Sequence, residues 1–133
     1  MQIERDIQQL EKVYNDIKER TENLIHTQSL DWYIQTLGIL CNYLPYVNEQ
    51  MARSKRCLNQ RKKLAYESVA DEFQNKKHFS PMLIKDYVNT ICQQEHYWYD
   101  LSERISRTLV HSIDSLRTII SALKEEFKIS NYH

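Results

Sequence analysis

Residues 82–133, MLIKDYVNTICQQEHYWYDLSERISRTLVHSIDSLRTIISALKEEFKISNYH, hold neither Gly nor Pro. Within them Ile84, Val88, Ile91, Trp98, Ile105, Leu109, Leu116, Ile119 and Leu123 recur on one 4-3 track, with Glu95, Ser102, Ser112 and Glu126 at the remaining positions. Steps of four and three keep side chains on one face of an α-helix, whereas a half-buried strand alternates with a period of two. Ser80-Pro81 stands just before the track and is a helix start: Ser offers an acceptor to a free N–H, and Pro lacks an N–H that would go unused there. The pattern predicts a helix of nearly fifty residues over 81–128, or two helices with a kink near Glu95–Tyr99. Unbroken, it would be roughly 75 Å long, too long for a compact monomer of 133 residues. It therefore breaks or is covered by partner chains. The tail, Ile129–His133, is expected to fray.

The same spacing returns at the other end of the chain. Ile3, Ile7, Leu10, Tyr14, Ile17, Thr21 and Leu24 step 4-3-4-3-4-3, an a/d seam on a helix over 2–26. Such a stripe must pack on another helix, either inside a bundle or in an intermolecular coiled coil. A break follows near Thr27–Ser29, with Ser29 as N-cap. Leu30, Tyr33, Ile34, Leu37, Leu40, Cys41 and Leu44 then mark a helix over 30–44, which Trp32, Ile39 and Tyr43 make apolar over a wide arc. Gly38, inside it, costs about 1 kcal/mol against Ala and would permit a close helix crossing. Pro45 pushes residue 44 away from helical geometry, so a helix ends or kinks there. The next helix, over 46–74, runs through Val47, Met51, Leu58, Ala65, Val69 and Phe73, before a polar loop at Asn75–Phe79.

One Gly and two Pro leave little material for β-turns or Gly-rich phosphate loops. A 41% apolar content with nine Tyr supplies a core. The expected fold is all-α, a single antiparallel helical bundle of four or five helices with one long C-terminal helix. Heptads at both ends argue for a homo-oligomer, most simply a C₂ dimer. Cys41, Cys57 and Cys92 form no CxxC pair and are odd in number, which points to reduced thiols and a cytoplasmic setting. The start, MQIERDIQQLEKV, lacks the apolar stretch of a secretory signal. No run approaches the ~18 apolar residues of a membrane span, so no membrane partner is expected.

The five His form no HxxxH or HExxH pair, so neither metal nor cofactor is expected. Cys92 and His96 sit at i, i+4, but mid-helix N–H groups are already bonded and leave no oxyanion hole. No catalytic residues are assigned, and an enzyme is not expected.

Three features remain as candidate binding surfaces. MARSKRCLNQRKKLAYE, residues 51–67, has no acid from 50 to 66. At 100° per residue Val47, Met51, Leu58, Ala65 and Val69 face the core. Arg53, Arg56 and Lys63 point away, Lys55 and Lys62 flank the core face, and Arg61 completes the group. This cationic ridge either contacts phosphates or is a solvated face balanced by the acidic first fifty residues, which carry a net charge of −4. His96-Tyr97-Trp98-Tyr99 points in every direction around a helix; Trp98 is a core candidate, and Tyr97 and Tyr99 are interface anchors, base-stacking platforms or rims of the core. A polar stripe through Asp100, Glu103, Arg104, Arg107 and His111 lies opposite the apolar track and carries two i, i+4 acid-to-base pairs, Asp100–Arg104 and Glu103–Arg107. Ile3, Ile7, Leu10, Tyr14 and Ile17, with Tyr97, Trp98, Tyr99, Arg104 and Arg107, are the candidate oligomer or partner interface.

An N-terminal helix, a Lys/Arg-rich middle helix (RSKRCLNQRKKLAYE), a short polar link and a final helix carrying YW and then LRTIISALK resemble the small recombination-mediator proteins of phages, the UvsY-like family. The resemblance covers roughly residues 45–128, in order and charge placement. It implies a helical oligomer that binds single-stranded DNA in the host cytoplasm and helps load a recombinase, with Arg53, Lys55, Arg56, Arg61, Lys62 and Lys63 toward the nucleic acid. The chain's zero net charge departs from a basic DNA binder. From the residues alone, the first expectation is a non-enzymatic oligomeric protein-binding or scaffolding module. The alternative is a single-stranded nucleic-acid-binding accessory using residues 53–63.

Overall fold

The computed structural model describes residues 2–22, 24, 28–73 and 80–131. It is all-α: α1 spans Gln2–Glu22, α2 Leu30–Phe73, α3 Pro81–Ile91 and α4 Gln93–Asn131, with no strand among the described residues. No helix among them is long and apolar enough to cross a membrane. Residues 23, 25 and 26 of the first predicted helix, Thr27 of the predicted break, Gln74, the Asn75–Phe79 loop and Tyr132–His133 lie outside the described residues.

The helix starts are where their caps put them. Ser29 Oγ accepts Trp32 N–H at 3.1 Å, and Ser80 Oγ accepts Leu83 N–H at 3.2 Å with Pro81 opening α3. α2 packs along α4 and α3 and runs antiparallel to them. Trp98 Nε1 donates to Gln50 Oε1 at 3.0 Å, while Leu30 and Leu123 line one depression at the far end. α1 lies antiparallel to α2, since Asp6 meets Arg53 and Asp16 meets Tyr43.

Two buried clusters result. The larger joins Ile7, Leu10, Val13 and Ile17 of α1 to Tyr33, Leu40 and Val47 of α2 and to Trp98, Leu101, Ile105, Leu109, Ile113, Leu116 and Ile120 of α4. The smaller joins Leu58, Ala65 and Val69 of α2 to Val88 and Cys92. The protein is a three-helix bundle at one end and a two-helix arm at the other.

Four sequence expectations are corrected. The separate helices over 30–44 and 46–74 are one helix of 44 residues, with Pro45 inside it. An interior Pro costs about 3 kcal/mol, but the buried Leu40 and Val47 hold both flanks of the exposed Pro45 in the helix. The C-terminal helix is interrupted at Cys92 (φ −94°, ψ 15°), before the predicted Glu95–Tyr99 zone. The hydrogen bonds from Cys92 N to Val88 O (3.0 Å) and from His96 N to Cys92 O (2.9 Å) carry the chain across it. The slip lets Cys92 bury against the arm while Trp98 buries in the bundle. α4 stays helical to Asn131, past the predicted fraying point. Gly38 serves no close crossing: a Cβ there meets nothing within 4 Å.

Gly38→Ala should therefore stabilise the fold by about 0.5–1 kcal/mol, read as a higher urea midpoint; a lower midpoint would show that the glycine is needed. A second expectation concerns acid. The Tyr43 hydroxyl donated to Asp16 holds that carboxyl below its ordinary value, against a smaller push from burial and with help from Arg20. A depressed acid stabilises the fold above its unfolded value of about 3.9 and loses that contribution as pH falls through the folded value. The stability gap between wild type and Asp16→Asn should be open at neutral pH and close as pH falls below about 4. A gap independent of pH would rule this out.

Candidate interaction surface

The structure separates the candidate residues into those held within the chain and those left outside. Ile7, Leu10 and Ile17 are buried against α2 and α4, with Ile3 and Tyr14 half-buried around them. The first heptad seam is thus closed intramolecularly. Within this chain its residues pack on α2 and α4, as in the bundle reading of the seam. Val13, off the predicted seam, is buried as well, because α1 is gripped by two helices rather than one. Trp98 is also buried, and Tyr99 packs on the smaller cluster. Tyr97 stays about half exposed and donates its hydroxyl to Glu11 Oε1 at 3.0 Å, tying α4 to α1.

Arg53 does not point away. Its guanidinium lies 3.5 Å from Asp6 Oδ2 and 5.8 Å from the centre of the Trp98 ring. The wheel was misread because α2's buried stripe is partly polar: Thr36, Gln50 and Ser54 are buried alongside Leu40, Val47 and Leu58. Arg53 is adjacent to Ser54 and so stands at the inner edge. The sequence offered no apolar marker there.

Among the described residues the other ridge cations have no such partner. Lys55, Arg56, Arg61 and Lys63 are exposed and Lys62 half-buried. The ion pairs among the described residues are Arg20–Asp16, Arg53–Asp6, Arg107–Glu103 and Lys128–Glu125. The reason is the reach of α1. With Asp6 opposite Arg53, its first residues lie level with Cys57, and both Ile3 and Cys57 pack on the larger cluster. The acidic helix ends before residues 61–63. Arg104 and Arg107 are exposed, and with Asp100, Glu103, Thr108 and His111 they line a shallow depression of about 300 Å³. Arg107 is held by Glu103 of its own helix.

A feature the sequence reading missed lies on the arm. Tyr43, Tyr46, Gln50, Arg53, Cys57, Gln60, Leu64 and Glu67 step 3-4-3-4-3-4-3 along one edge of α2. Tyr43 and Arg53 of this edge hold α1. Beyond Cys57 the edge continues uncovered, and Gln60, Lys63, Leu64 and Glu67 line a second depression of about 300 Å³. Leu64 is 59% exposed, and on α3 Met82 and Leu83 are 73% and 52% exposed.

Burial and then Glu95 push the Cys92 thiol above its ordinary pKa, which keeps it protonated and unreactive at neutral pH. Among the described residues no group of three or more His, Cys, Asp or Glu could hold a metal ion. Compared with known proteins, the chain matches no family model, no curated protein and no solved structure.

Arg53→Ala should lower stability by about 1–3 kcal/mol, because it strands a buried carboxylate, whereas Lys55→Ala should change it by less than about 0.5 kcal/mol. Equal urea midpoints for the two variants would contradict the placement of Arg53.

Proposed function

We propose that the chain is a non-enzymatic, self-associating helical protein that scaffolds another protein through its two-helix arm. The observation that carries this reading is the arm itself. Large apolar side chains, Leu64, Met82 and Leu83, stand in solvent on a part of the molecule that α1 does not cover. Large apolar groups left exposed suit a partner surface. The free cysteines Cys41, Cys57 and Cys92 support a reducing, cytoplasmic setting.

A second reading, a single-stranded nucleic-acid-binding accessory of the recombination-mediator kind, is favoured by one observation. Lys55, Arg56, Arg61, Lys62 and Lys63 have no ion-pair partner among the described residues. Unpaired cations on one helix suit a phosphate backbone.

Light scattering with and without a short single-stranded oligonucleotide, at low and high salt, separates the two. An oligomer whose mass ignores the oligonucleotide supports the protein scaffold. A complex that dissociates steeply with salt supports the second reading, and Lys55→Glu with Arg56→Glu should then reduce the salt slope by about 2. A monomer that takes up no oligonucleotide contradicts both.

A further inference from the structure

We infer that the uncovered edge of the arm is where two copies of this chain pair, α2 against α2 and antiparallel, about a twofold axis near Leu64. This rests on the proposed self-association and gives it a place and a geometry.

Continuity is the first argument. The edge that α1 fills from Tyr43 to Cys57 is a helix-binding seam in this molecule, and it keeps its 3-4 spacing through Gln60, Leu64 and Glu67. At that point it forms a depression lined, among the described residues, by Gln60, Lys63, Leu64 and Glu67 of α2 alone. What fits a seam of this kind is another helix. Residues 58–73, about 24 Å of helix, remain for it.

Charge then selects the occupant and its direction. Flanking this edge on the N-terminal side of Leu64, α2 carries Arg56, Arg61 and Lys63; on the C-terminal side it carries Glu67 and Asp71. Asp71 is one heptad beyond Leu64, and Lys63, Glu67 and Asp71 are all exposed. Lys63 and Glu67 are four apart, yet neither is in an ion pair among the described residues. A second copy laid antiparallel sets Leu64 against Leu64, Gln60 against Glu67 and Ser68, and Lys63 within reach of Glu67, each contact made twice by symmetry. A parallel copy would set cation against cation. The arm is therefore complementary to itself in one orientation only.

Sedimentation velocity of the full chain over a range of concentrations tests this. The wild type should dimerise. Leu64→Asp, at an exposed position, should weaken the dimer at least tenfold with helicity unchanged. Lys63→Glu and Glu67→Lys should each do the same. An equimolar mixture of those two single variants, or the double variant carrying both changes, should recover dimer mass, which general damage to the fold could not produce. If the single reversals weaken the dimer and the mixture does not recover it, the antiparallel geometry is wrong. If the dimer ignores all three substitutions, the pairing surface lies elsewhere, and this inference fails while self-association stands. A wild type that stays monomeric at every concentration overturns both.

Discussion

α2 has 44 residues and α1 has 21, and this mismatch shapes the molecule. α3 and α4 together match α2 in length, so the long hairpin closes along its whole run. α1 can cover only half of it. Where α1 lies, three helices enclose a large cluster, and Asp6, Asp16 and Glu11 of α1 meet Arg53, Tyr43 and Tyr97 across the interface. Past Cys57 only two helices remain, the buried cluster shrinks to a few residues, and side chains that would otherwise be core stand in solvent. Two helices cannot enclose a core as three can, because each has only one neighbour to cover its apolar stripe.

Polar groups set the register of the closed half. Trp98 is buried, and its indole N–H needs an acceptor; Gln50, also buried, supplies it. Arg53 lies over the face of the same indole and reaches Asp6, which is only 8% exposed. Two side chains of α2 are thus tied to the α4 ring, and one of them reaches α1. A one-residue slip of α2 on α4 would break the Gln50 contact and leave a buried donor unpaired, a penalty of about 1–3 kcal/mol. Apolar packing alone tolerates sliding far better, which is a reason for Gln50 to occupy a core position.

Residue spacing made the helices legible. The 4-3 tracks at both ends of the chain, the Ser29 and Ser80 caps and the near absence of Gly and Pro sufficed for an all-α bundle. The breaks were less legible, because they depend on what packs against them. Pro45 reads as a terminator from local sterics, but tertiary burial on both sides overrides it. Cys92 carries no break signal, and its interruption arises only because two clusters demand different faces of one helix. The candidate surface was half visible. The cationic run was plain in the sequence, but Arg53 was misplaced because Gln50 and Ser54 hide the true buried stripe. The seam through Leu64 was invisible until α1's end was located, since the same residues would be core had α1 been longer.

The zero net charge of the chain conceals a polarity that both readings of function use in different ways. At 100° per residue Lys55 and Lys62 lie on the far side of α2 from Leu64, while Lys63 lies beside it. Pairing along the seam therefore engages Lys63 and leaves Lys55 and Lys62, which flank the core face, outside the seam. An antiparallel dimer would carry two such cation groups, one from each copy, related by the twofold axis, so that self-association concentrates positive charge instead of cancelling it. An anionic partner that is weakly held by one cluster is held far more tightly by two that act together, provided its length spans them. On these two proposals assembly and recognition would engage different faces of the same helix.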